Sequence, residues 1–329
     1  MLFFDNLDKI IYERHKLIKC DDIIILSGYV GPAPIKRISE YPIHTTIIYG
    51  MYACDGIGEA LHNELIKYDT HNNIDIYYSK VPVHSKIYMW RFKGEVVYAL
   101  VGSANFSTHG LTIPYKEILA ETTSDTLSKL GEYYQYIQEK CVRCTNAVFC
   151  PQRKKLQTIQ NVSFSSEKCS LPLYITKYGI DQVPASSGLN WGMAKLNGSH
   201  VNIDDAYIAI PAEAIEIFPN LFPKKQAEPK NINNIKRRGH RDNDPIDIIW
   251  DDGTTMTGLL EGTRNVGNYE YPKQIATTPS KSILGKYLRT RMNISSGKQI
   301  SLQDLDNYGR RTIDISLQGE GVYFFDFSV

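Results

Sequence analysis

The 329-residue sequence lacks any apolar run long enough to cross a membrane. Its longest runs, such as Ile23–Leu26 and Val96–Val101, have the length of a β-strand, whereas a membrane-spanning helix needs about 20 apolar residues. The N-terminal residues Met1–Lys9 carry acids and lack the basic-then-apolar order of a secretion signal. We therefore expect a cytoplasmic protein with no membrane partner.

Several nucleotide and metal motifs are also missing. No Gly-Lys-Ser/Thr phosphate loop occurs, and Gly56-x-Gly58 is too short for a dinucleotide-binding loop. The carboxylates of Asp244, Asp247 and Asp251 are not followed by a lysine on the same predicted strand, as a metal-dependent nuclease would require. We therefore expect no ATPase within this chain and no divalent metal in catalysis.

Cysteine is scarce, with six residues, and a chain without an export signal should keep them reduced. Cys141-x-x-Cys144, followed by Cys150 and Cys169, could supply four ligands for a structural zinc ion. The spacing of the last two is irregular and no second Cys-x-x-Cys pair occurs, so buried free thiols are the default interpretation. The zinc site stays open as the alternative.

Charge is nearly balanced overall, at +1, but not along the chain. Residues 224–241 hold seven Lys/Arg and a single acid, Glu228. Such a segment is either a solvated basic loop or a strip that follows a phosphate backbone.

Length and an apolar content of 42% favour two domains, each with its own core. In residues 1–150, strand-like and helix-like segments alternate, which predicts a mixed α/β sandwich. In residues 169–329, Pro, Gly, Asn and Asp recur at short intervals between β-rich runs, which predicts an all-β barrel with one or two helices. The polar segment 151–168 is the predicted linker.

The predicted elements follow from hydrophobic periodicity and capping signals. In the first half they are helices at Leu7–Lys19 (with Asn6 as N-cap), Gly58–Tyr68 and Thr123–Cys141, and strands at Asp22–Val30, Thr45–Tyr52, Ile74–Ser79, Ser85–Phe92 and Glu95–Val101. In the second half they are strands at Leu171–Thr176, Ala206–Ile210, Ile246–Trp250, Met256–Leu260, Thr312–Ser316 and Val322–Phe327, and helices at Ser282–Met292 and Ser301–Tyr308 (with Ser301 as N-cap).

The residues that carry chemistry lie on a predicted hairpin. His84 and Lys86 are two apart on one strand, so their side chains share a face. Ser103 and Asn105 are likewise two apart at the end of the neighbouring strand. The hairpin should therefore bring the four polar side chains together.

Such a cluster suits phosphoryl transfer. A histidine can attack phosphorus and hold a covalent intermediate, while lysine, asparagine and serine can bind the phosphate oxygens. Glu117, which enters an apolar run, is the predicted carboxylate that binds the Nδ1–H of His84 and leaves Nε2 free to attack. Glu121 is the alternative for this role.

His84-x-Lys86 together with Gly102–Ser107 (GSANFS) resembles the motif of the phospholipase D superfamily, in its nuclease branch. The fuller motif has an Asp a few residues after the Lys, where this sequence has Arg91 and Phe92. The resemblance implies a phospholipase-D-like mixed α/β sandwich that cuts DNA through a phosphohistidine without a metal.

The sequence holds this motif once, whereas superfamily sites use two motifs that face each other. The resemblance therefore implies a homodimer with its active site at the interface. His84 of one subunit would attack phosphorus, and His84 of the other would protonate the leaving 3′ oxygen and then activate water. One imidazole must be neutral and the other protonated, so the resemblance also implies a pH optimum.

The whole chain is similar to restriction endonucleases of the NgoFVII type (BfiI-like). The resemblance implies a C-terminal B3-like pseudobarrel for DNA recognition and a type II, site-specific deoxyribonuclease acting on double-stranded DNA, as in restriction–modification systems. The second-half segments that carry it are Ser187–Gly192, Ala206–Pro211, Asp251–Gly253, Leu284–Arg289, Asp306–Arg310 and Tyr323–Phe327.

In such a domain two loop arms grip the major groove, which by position places them at Ser187–His200 and Glu261–Ser280. Arg and Lys suit guanine, and Asn and Gln suit adenine or phosphate. For Trp191, packing beneath the arm is an equal alternative to a DNA contact. The candidate DNA-binding residues are Asn190, Trp191, Lys195, Asn197, Arg264, Asn268, Tyr271, Lys273 and Gln274.

Three alternative functions stay open. The chain could be the nuclease subunit of a complex with a separate ATPase or helicase. It could be a phospholipase or phosphatidyl transferase, although these usually need two motifs in one chain. It could also be a DNA-binding protein with a degenerate nuclease half, against which the intact His84, Lys86, Ser103 and Asn105 set argues.

Overall fold

The computed structural model describes residues 1–71, 73–147, 167–197, 201–225 and 243–329, with backbone alone for 195–197. The chain divides into two compact units: unit 1 is Met1–Ser166 with Leu317–Tyr323, and unit 2 is Glu167–Ser316 with Phe324–Val329. Within the described ranges, no helix is both long and apolar enough to cross a membrane.

Unit 1 is built on a mixed sheet of eight strands. The strands are β1 (Leu2–Phe3), β2 (Asp22–Ser27), β3 (His44–Tyr49), β4 (Ile74–Ser79), β5 (Lys86–Phe92), β6 (Glu95–Gly102), β7 (Leu119–Glu121) and β8 (Cys141–Arg143). Their order is β1-β7-β6-β5-β2-β3-β4-β8. The β2, β3 and β4 strands are parallel, while β5 and β6 form the predicted antiparallel hairpin beside β2.

Helices cover the sheet of unit 1. They are α1 (Leu7–Glu13), α2 (Pro32–Ser39), α3 (Tyr52–Asp55), α4 (Glu59–Asp69), α5 (Thr108–Thr112) and α6 (Ser124–Gln138), with 3-10 turns at Arg14–Lys16 and Cys144–Asn146. Because β2 is covered on both faces, its apolar run Ile23–Leu26 is completely buried and continuous rather than alternating. The predicted mixed α/β sandwich is confirmed.

Strand periodicity in β5 separates the core from the site. Ile87 and Met89 belong to a buried apolar cluster that includes Ile137 of α6. Since successive side chains on a strand alternate between faces, Lys86 and Tyr88 point to the opposite side. One strand thus contributes both to the core and to the polar cluster.

Some predicted boundaries in unit 1 are wrong. The β2 strand ends at Ser27 instead of running past Gly28, and β5 begins at Lys86, so His84 lies in the segment that precedes the strand. The predicted helix that ends at Cys141 stops at Gln138, because Cys141 pairs as β8 with β4. Asn6 does precede α1, but its side chain makes no capping hydrogen bond.

Unit 2 contains most of a seven-stranded sheet. The strands are β9 (Cys169–Pro172), β12 (Ile208–Ala209), β13 (Asp244–Trp250), β14 (Thr255–Glu261), β17 (Gln274–Thr277), β18 (Thr312–Gly319) and β19 (Val322–Asp326). Their order is β12-β17-β14-β13-β19-β18-β9, and the edge strands β12 and β9 lie close together. The sheet forms a nearly closed barrel, so the predicted all-β pseudobarrel is confirmed.

Two small hairpins and three helices complete the part of this half that the structure describes. The hairpins pair β10 (Ile175–Lys177) with β11 (Ile180–Gln182), and β15 (Arg264–Val266) with β16 (Tyr269–Tyr271). The helices are α7 (Ala212–Ile217), α8 (Ser282–Arg291) and α9 (Leu302–Tyr308), with a 3-10 segment at Gly188–Asn197. The predicted cap of α9 is confirmed, because the Ser301 Oγ accepts a hydrogen bond of 3.2 Å from the Asp304 N–H.

Two helical glycines of unit 1 should respond in opposite ways to alanine. A Cβ on Gly131, inside α6, would have the Val96 Cγ2 as its nearest neighbour at 3.7 Å. Gly131→Ala should therefore raise the free energy of unfolding by about 1 kcal/mol through helix propensity. A Cβ on Gly110 would lie 2.4 Å from the Asn105 carbonyl oxygen, so Gly110→Ala should lower that free energy by about 1–3 kcal/mol. Urea unfolding checks both, and equal effects would contradict the packing.

Candidate active site

The five predicted catalytic residues lie at one edge of the unit 1 sheet. The register pairs Lys86 with Gly102, and Gly102 with Leu119. The start of β5, the end of β6 and the start of β7 therefore meet. The end of β2 reaches the same edge, since Leu26 pairs with Ile87.

Gly28 marks the centre of the cluster. A Cβ added there would lie 3.3 Å from the His84 Cδ2, 3.3 Å from the Lys86 Nζ and 3.4 Å from the Asn105 Oδ1. Three side chains from separate segments thus converge on a residue that has no side chain. The structure brings His84, Lys86 and Asn105 together.

Lys86 is buried, with 5% of its surface exposed, while His84 is exposed. The Lys86 Nζ donates to the His84 carbonyl oxygen at 2.7 Å and lies 3.1 and 3.2 Å from the imidazole Nδ1 and Nε2. Burial lowers the pKa of Lys86, and the negative charges of Glu320 and Glu117 oppose this effect. The Lys86 ammonium is therefore partly desolvated and lies against the His84 imidazole.

Backbone contacts orient the Asn105 amide. Its Oδ1 accepts a hydrogen bond of 3.2 Å from the Tyr29 N–H, which directs Nδ2 the other way. Nδ2 donates to the Glu320 Oε2 at 2.6 Å. The Tyr88 hydroxyl supports the same loop by donating to the Ala104 carbonyl oxygen at 2.8 Å. Asn105 therefore presents a donor, as phosphate binding requires.

Ser103 and Glu117 lie beside this centre. The Ser103 Oγ accepts a hydrogen bond of 3.1 Å from the Ile118 N–H, and a hydroxyl that accepts in this way keeps its proton to donate. Glu117 is half-buried, and its charge raises the pKa of Lys86. Among the described residues no hydrogen bond joins Glu117 to His84, so its orienting role stays a prediction.

Tyr29 was not predicted as part of the site. Its ring packs edge-on against the His84 imidazole, with centroids 6.1 Å apart, and its hydroxyl donates to the Asp55 Oδ2 at 2.6 Å. Burial raises the pKa of Tyr29, and the bond to Asp55 raises it further, so the phenol stays neutral. The available sequence signal was Ser27-Gly28-Tyr29, polar residues directly after the buried run of β2.

Arg91 occupies the region where the fuller superfamily motif has an acid. In this chain its Nε donates to the Asp22 Oδ1 at 2.9 Å, across the β5–β2 pair. The position thus supports the sheet at the end opposite to His84.

Two of the predicted DNA-binding residues in unit 2 are buried. Asn190 is completely buried, and its Nδ2 donates to the carbonyl oxygens of Pro184 and Ile300 at 3.0 and 2.7 Å. Its Oδ1 accepts from the Ile300 N–H at 2.8 Å, so the amide is fully used within the fold. Tyr271 is 5% exposed. Both side chains are thus engaged within the fold in this structure, and their contact with DNA stays a prediction.

Trp191 and Gln274 are both half-buried. The Trp191 ring packs edge-on against Tyr207, with centroids 5.8 Å apart, and the Lys281 Nζ lies 4.4 Å from its centroid. This agrees with the alternative in which Trp191 packs beneath the arm. The Gln274 Nε2 donates to the Glu261 Oε1 at 2.8 Å.

The remaining predicted arm residues stay predictions. Asn268 and Lys273 are exposed, and Arg264 is half-exposed at the start of β15. The side chains of Lys195 and Asn197 lie outside the described residues, as does most of the basic segment 224–241.

The zinc alternative concerns cysteines in both units. Cys150 and most of the predicted linker 151–168 lie outside the described residues. Among the described residues, no group of three or more His, Cys, Asp or Glu side chains could hold a metal ion. Burial raises the pKa of Cys141 to about 11, of Cys144 to about 12 and of Cys169 to about 11. A bound zinc ion would itself lower these pKa values, so buried thiols stay the default prediction and the zinc site the alternative.

Two family models cover most of the chain. The model for the NgoFVII restriction endonuclease N-terminal PLD domain matches residues 5–150, and the model for the NgoFVII C-terminal B3-like DNA-binding domain matches residues 157–318. The chain belongs to the NgoFVII restriction endonuclease family. The predicted resemblance is confirmed, and this family member is a DNA endonuclease whose nuclease domain precedes a DNA-binding domain.

Comparison with solved structures adds distant likenesses. The chain is similar to NucT from Helicobacter pylori, with 22% identity over 37% of this chain and 81% of that one and a TM-score of 0.27. It is also similar to the phospholipase D family member Nuc from Salmonella typhimurium, with 14% identity over 38% and 83% and a TM-score of 0.28. A polyphosphate kinase from Porphyromonas gingivalis shows 17% identity over 42% and 21%, with a TM-score of 0.28. No curated protein matches the chain. The family assignment rests on the two family models.

The convergence on Gly28 predicts a catalytic defect in Gly28→Ala. The added methyl group must push at least one of three closely spaced side chains aside by a few tenths of an ångström. Misplacement of catalytic groups should lower the cleavage rate constant about 10- to 100-fold. Single-turnover cleavage measures the effect. Gly131→Ala, far from the cluster in α6, serves as the control, and equal rates in the two variants would contradict the assignment.

Proposed function

We propose that this NgoFVII-family protein is a type II, site-specific endonuclease that cuts double-stranded DNA through a covalent phosphohistidine on His84. Catalysis needs no divalent metal, and the complete site forms between two copies of the chain. The observation that carries this proposal is the convergence of His84, Lys86 and Asn105 on Gly28. A candidate nucleophile and two candidate phosphate-binding donors meet there.

In the first step the His84 Nε2 attacks phosphorus, so a P–N bond forms while the P–O3′ bond breaks. Lys86 and the Asn105 Nδ2 bind the non-bridging oxygens and stabilise the charge that builds up on them. Ser103 adds a hydroxyl donor, and Glu117 orients the ring of His84. The imidazole of the partner subunit protonates the leaving 3′ oxygen.

In the second step the partner imidazole, now neutral, takes a proton from water. The hydroxide attacks phosphorus, the P–N bond breaks, and a 5′-phosphate strand end is released. The proton balance requires two histidines, and this sequence holds one His-x-Lys motif. A twofold dimer supplies the second and makes the paired site symmetric.

Recognition belongs to the second half of the chain. Asn268 and Lys273 are exposed, and with Arg264 they offer the side chains that suit base edges and phosphates. The proposal places the enzyme in the cytoplasm and includes no ATPase or helicase subunit. Cleavage by the purified protein without ATP tests that choice.

Metal independence predicts that plasmid DNA is cut in excess EDTA at the same rate as in magnesium. The reason is that His84 supplies the nucleophile and Lys86 with Asn105 supplies the charge stabilisation. Gel electrophoresis of the plasmid measures the rate, and phosphatidylcholine vesicles in the same buffer should remain intact. Loss of cleavage in EDTA that magnesium restores would contradict the mechanism.

The nucleophile assignment predicts that His84→Ala abolishes cleavage and leaves site-specific DNA binding unchanged. Removing a covalent nucleophile should lower the rate constant by a factor on the order of 10⁴ or more. Cleavage kinetics and gel-shift titration measure the two properties, and rapid denaturing quench of the wild type should trap a DNA–protein adduct. His71→Ala, at an exposed position after α4, is the control. Normal cleavage by His84→Ala would refute the assignment.

A further inference from the structure

The turn that joins β18 and β19 brings a carboxylate to the catalytic cluster. Glu320 lies at its tip, and its Oε2 accepts the hydrogen bond of 2.6 Å from the Asn105 Nδ2. Glu320 belongs to unit 1 and lies outside both matched ranges, 5–150 and 157–318. No motif assigns it a role.

The turn is anchored rather than free to swing. The Gln318 carbonyl oxygen accepts from the Gly58 N–H, and the Gln318 Oε1 accepts from the Ala60 N–H, each at 3.3 Å. Gln318 thereby provides an acceptor to the start of α4, whose N-cap residue Gly58 offers none from a side chain. These contacts fix the position from which Glu320 reaches Asn105.

Glu320 also acts on the buried lysine. Of the two carboxylates whose charge raises the pKa of Lys86 against its burial, Glu320 has the larger effect. The ammonium is 5% exposed, and a buried charge of this kind needs a nearby counter-charge. Asn105, which donates to Glu320, and Lys86, whose pKa the charge of Glu320 raises, are the two groups assigned above to the phosphate oxygens.

We propose that the Glu320 carboxylate occupies the position of a non-bridging phosphate oxygen and competes with the DNA phosphate for Asn105 and Lys86. The inference rests on the proposed roles of those two residues. A carboxylate and a phosphodiester both present anionic oxygens to N–H donors. Because two anions on one amide and one ammonium repel each other, the phosphate binds when Glu320 has left.

This competition restrains substrates that bind weakly elsewhere. Cognate DNA makes contacts outside the cluster, and their binding energy can turn the Glu320 side chain away from Asn105 while the backbone of the turn stays anchored. A small phosphodiester has no such contacts, so its apparent affinity is reduced by the fraction of molecules in which Glu320 is in place. The turn therefore favours DNA that is bound at its recognition site over incidental phosphodiesters.

Hydrolysis of bis(4-nitrophenyl) phosphate tests the competition in the full-length protein. Glu320→Ala should lower KM about tenfold and keep kcat within about twofold, because occupancy of the subsite changes while the catalytic groups stay. Glu320→Gln, which keeps the size of the side chain and removes its charge, should also lower KM. Glu132→Ala, an exposed acid on α6, should match the wild type. An unchanged KM would overturn the inference. A kcat about tenfold lower in both Glu320 variants would also overturn it, and would make Glu320 a group that catalysis needs.

A second measurement does not depend on turnover. Calorimetry of inorganic phosphate binding should give a dissociation constant about tenfold lower for the His84→Ala, Glu320→Ala double variant than for His84→Ala alone. Equal constants would refute the competition. If the wild type cleaves neither DNA nor the small diester, the proposed function fails, while the phosphate titration still decides the role of Glu320.

Discussion

A buried ammonium constrains the site in this endonuclease. Lys86 begins β5 with 5% of its surface exposed, and its Nζ lies beside the His84 carbonyl oxygen and ring. A charge in that position costs several kcal/mol unless anions or dipoles surround it. The loops at the sheet edge meet this requirement, and the same polar surroundings can receive a phosphate.

The charge balance of the cluster links structure to mechanism. In the free protein Glu117 and Glu320 offset Lys86, and Glu320 also engages Asn105. On our account a DNA phosphate replaces Glu320, so the net charge around Lys86 changes little when substrate binds. The protein thus avoids both an uncompensated buried cation and a permanently open anion site.

Features that depend on residues close together in the sequence were predicted better than contacts between residues far apart in it. The β5–β6 hairpin, β4 and the capped α9 were predicted well because periodicity and caps are local. The burial of the Asn190 amide was not predicted, because its partner, Ile300, lies 110 positions away. Tyr29 and Asn105, which are 76 positions apart, were not connected for the same reason.

From the order of residues alone came the chemistry: a histidine and a lysine two apart, a Ser-x-Asn on the next strand, and a second half rich in short strands. Side-chain direction along a strand depends on local backbone geometry, so that part could be read directly. Folding alone decided that Gly28 is the meeting point, that Tyr29 packs on His84, and that Glu320 reaches Asn105 across 215 positions. Contacts of that length depend on how the strands assemble, which no local pattern contains.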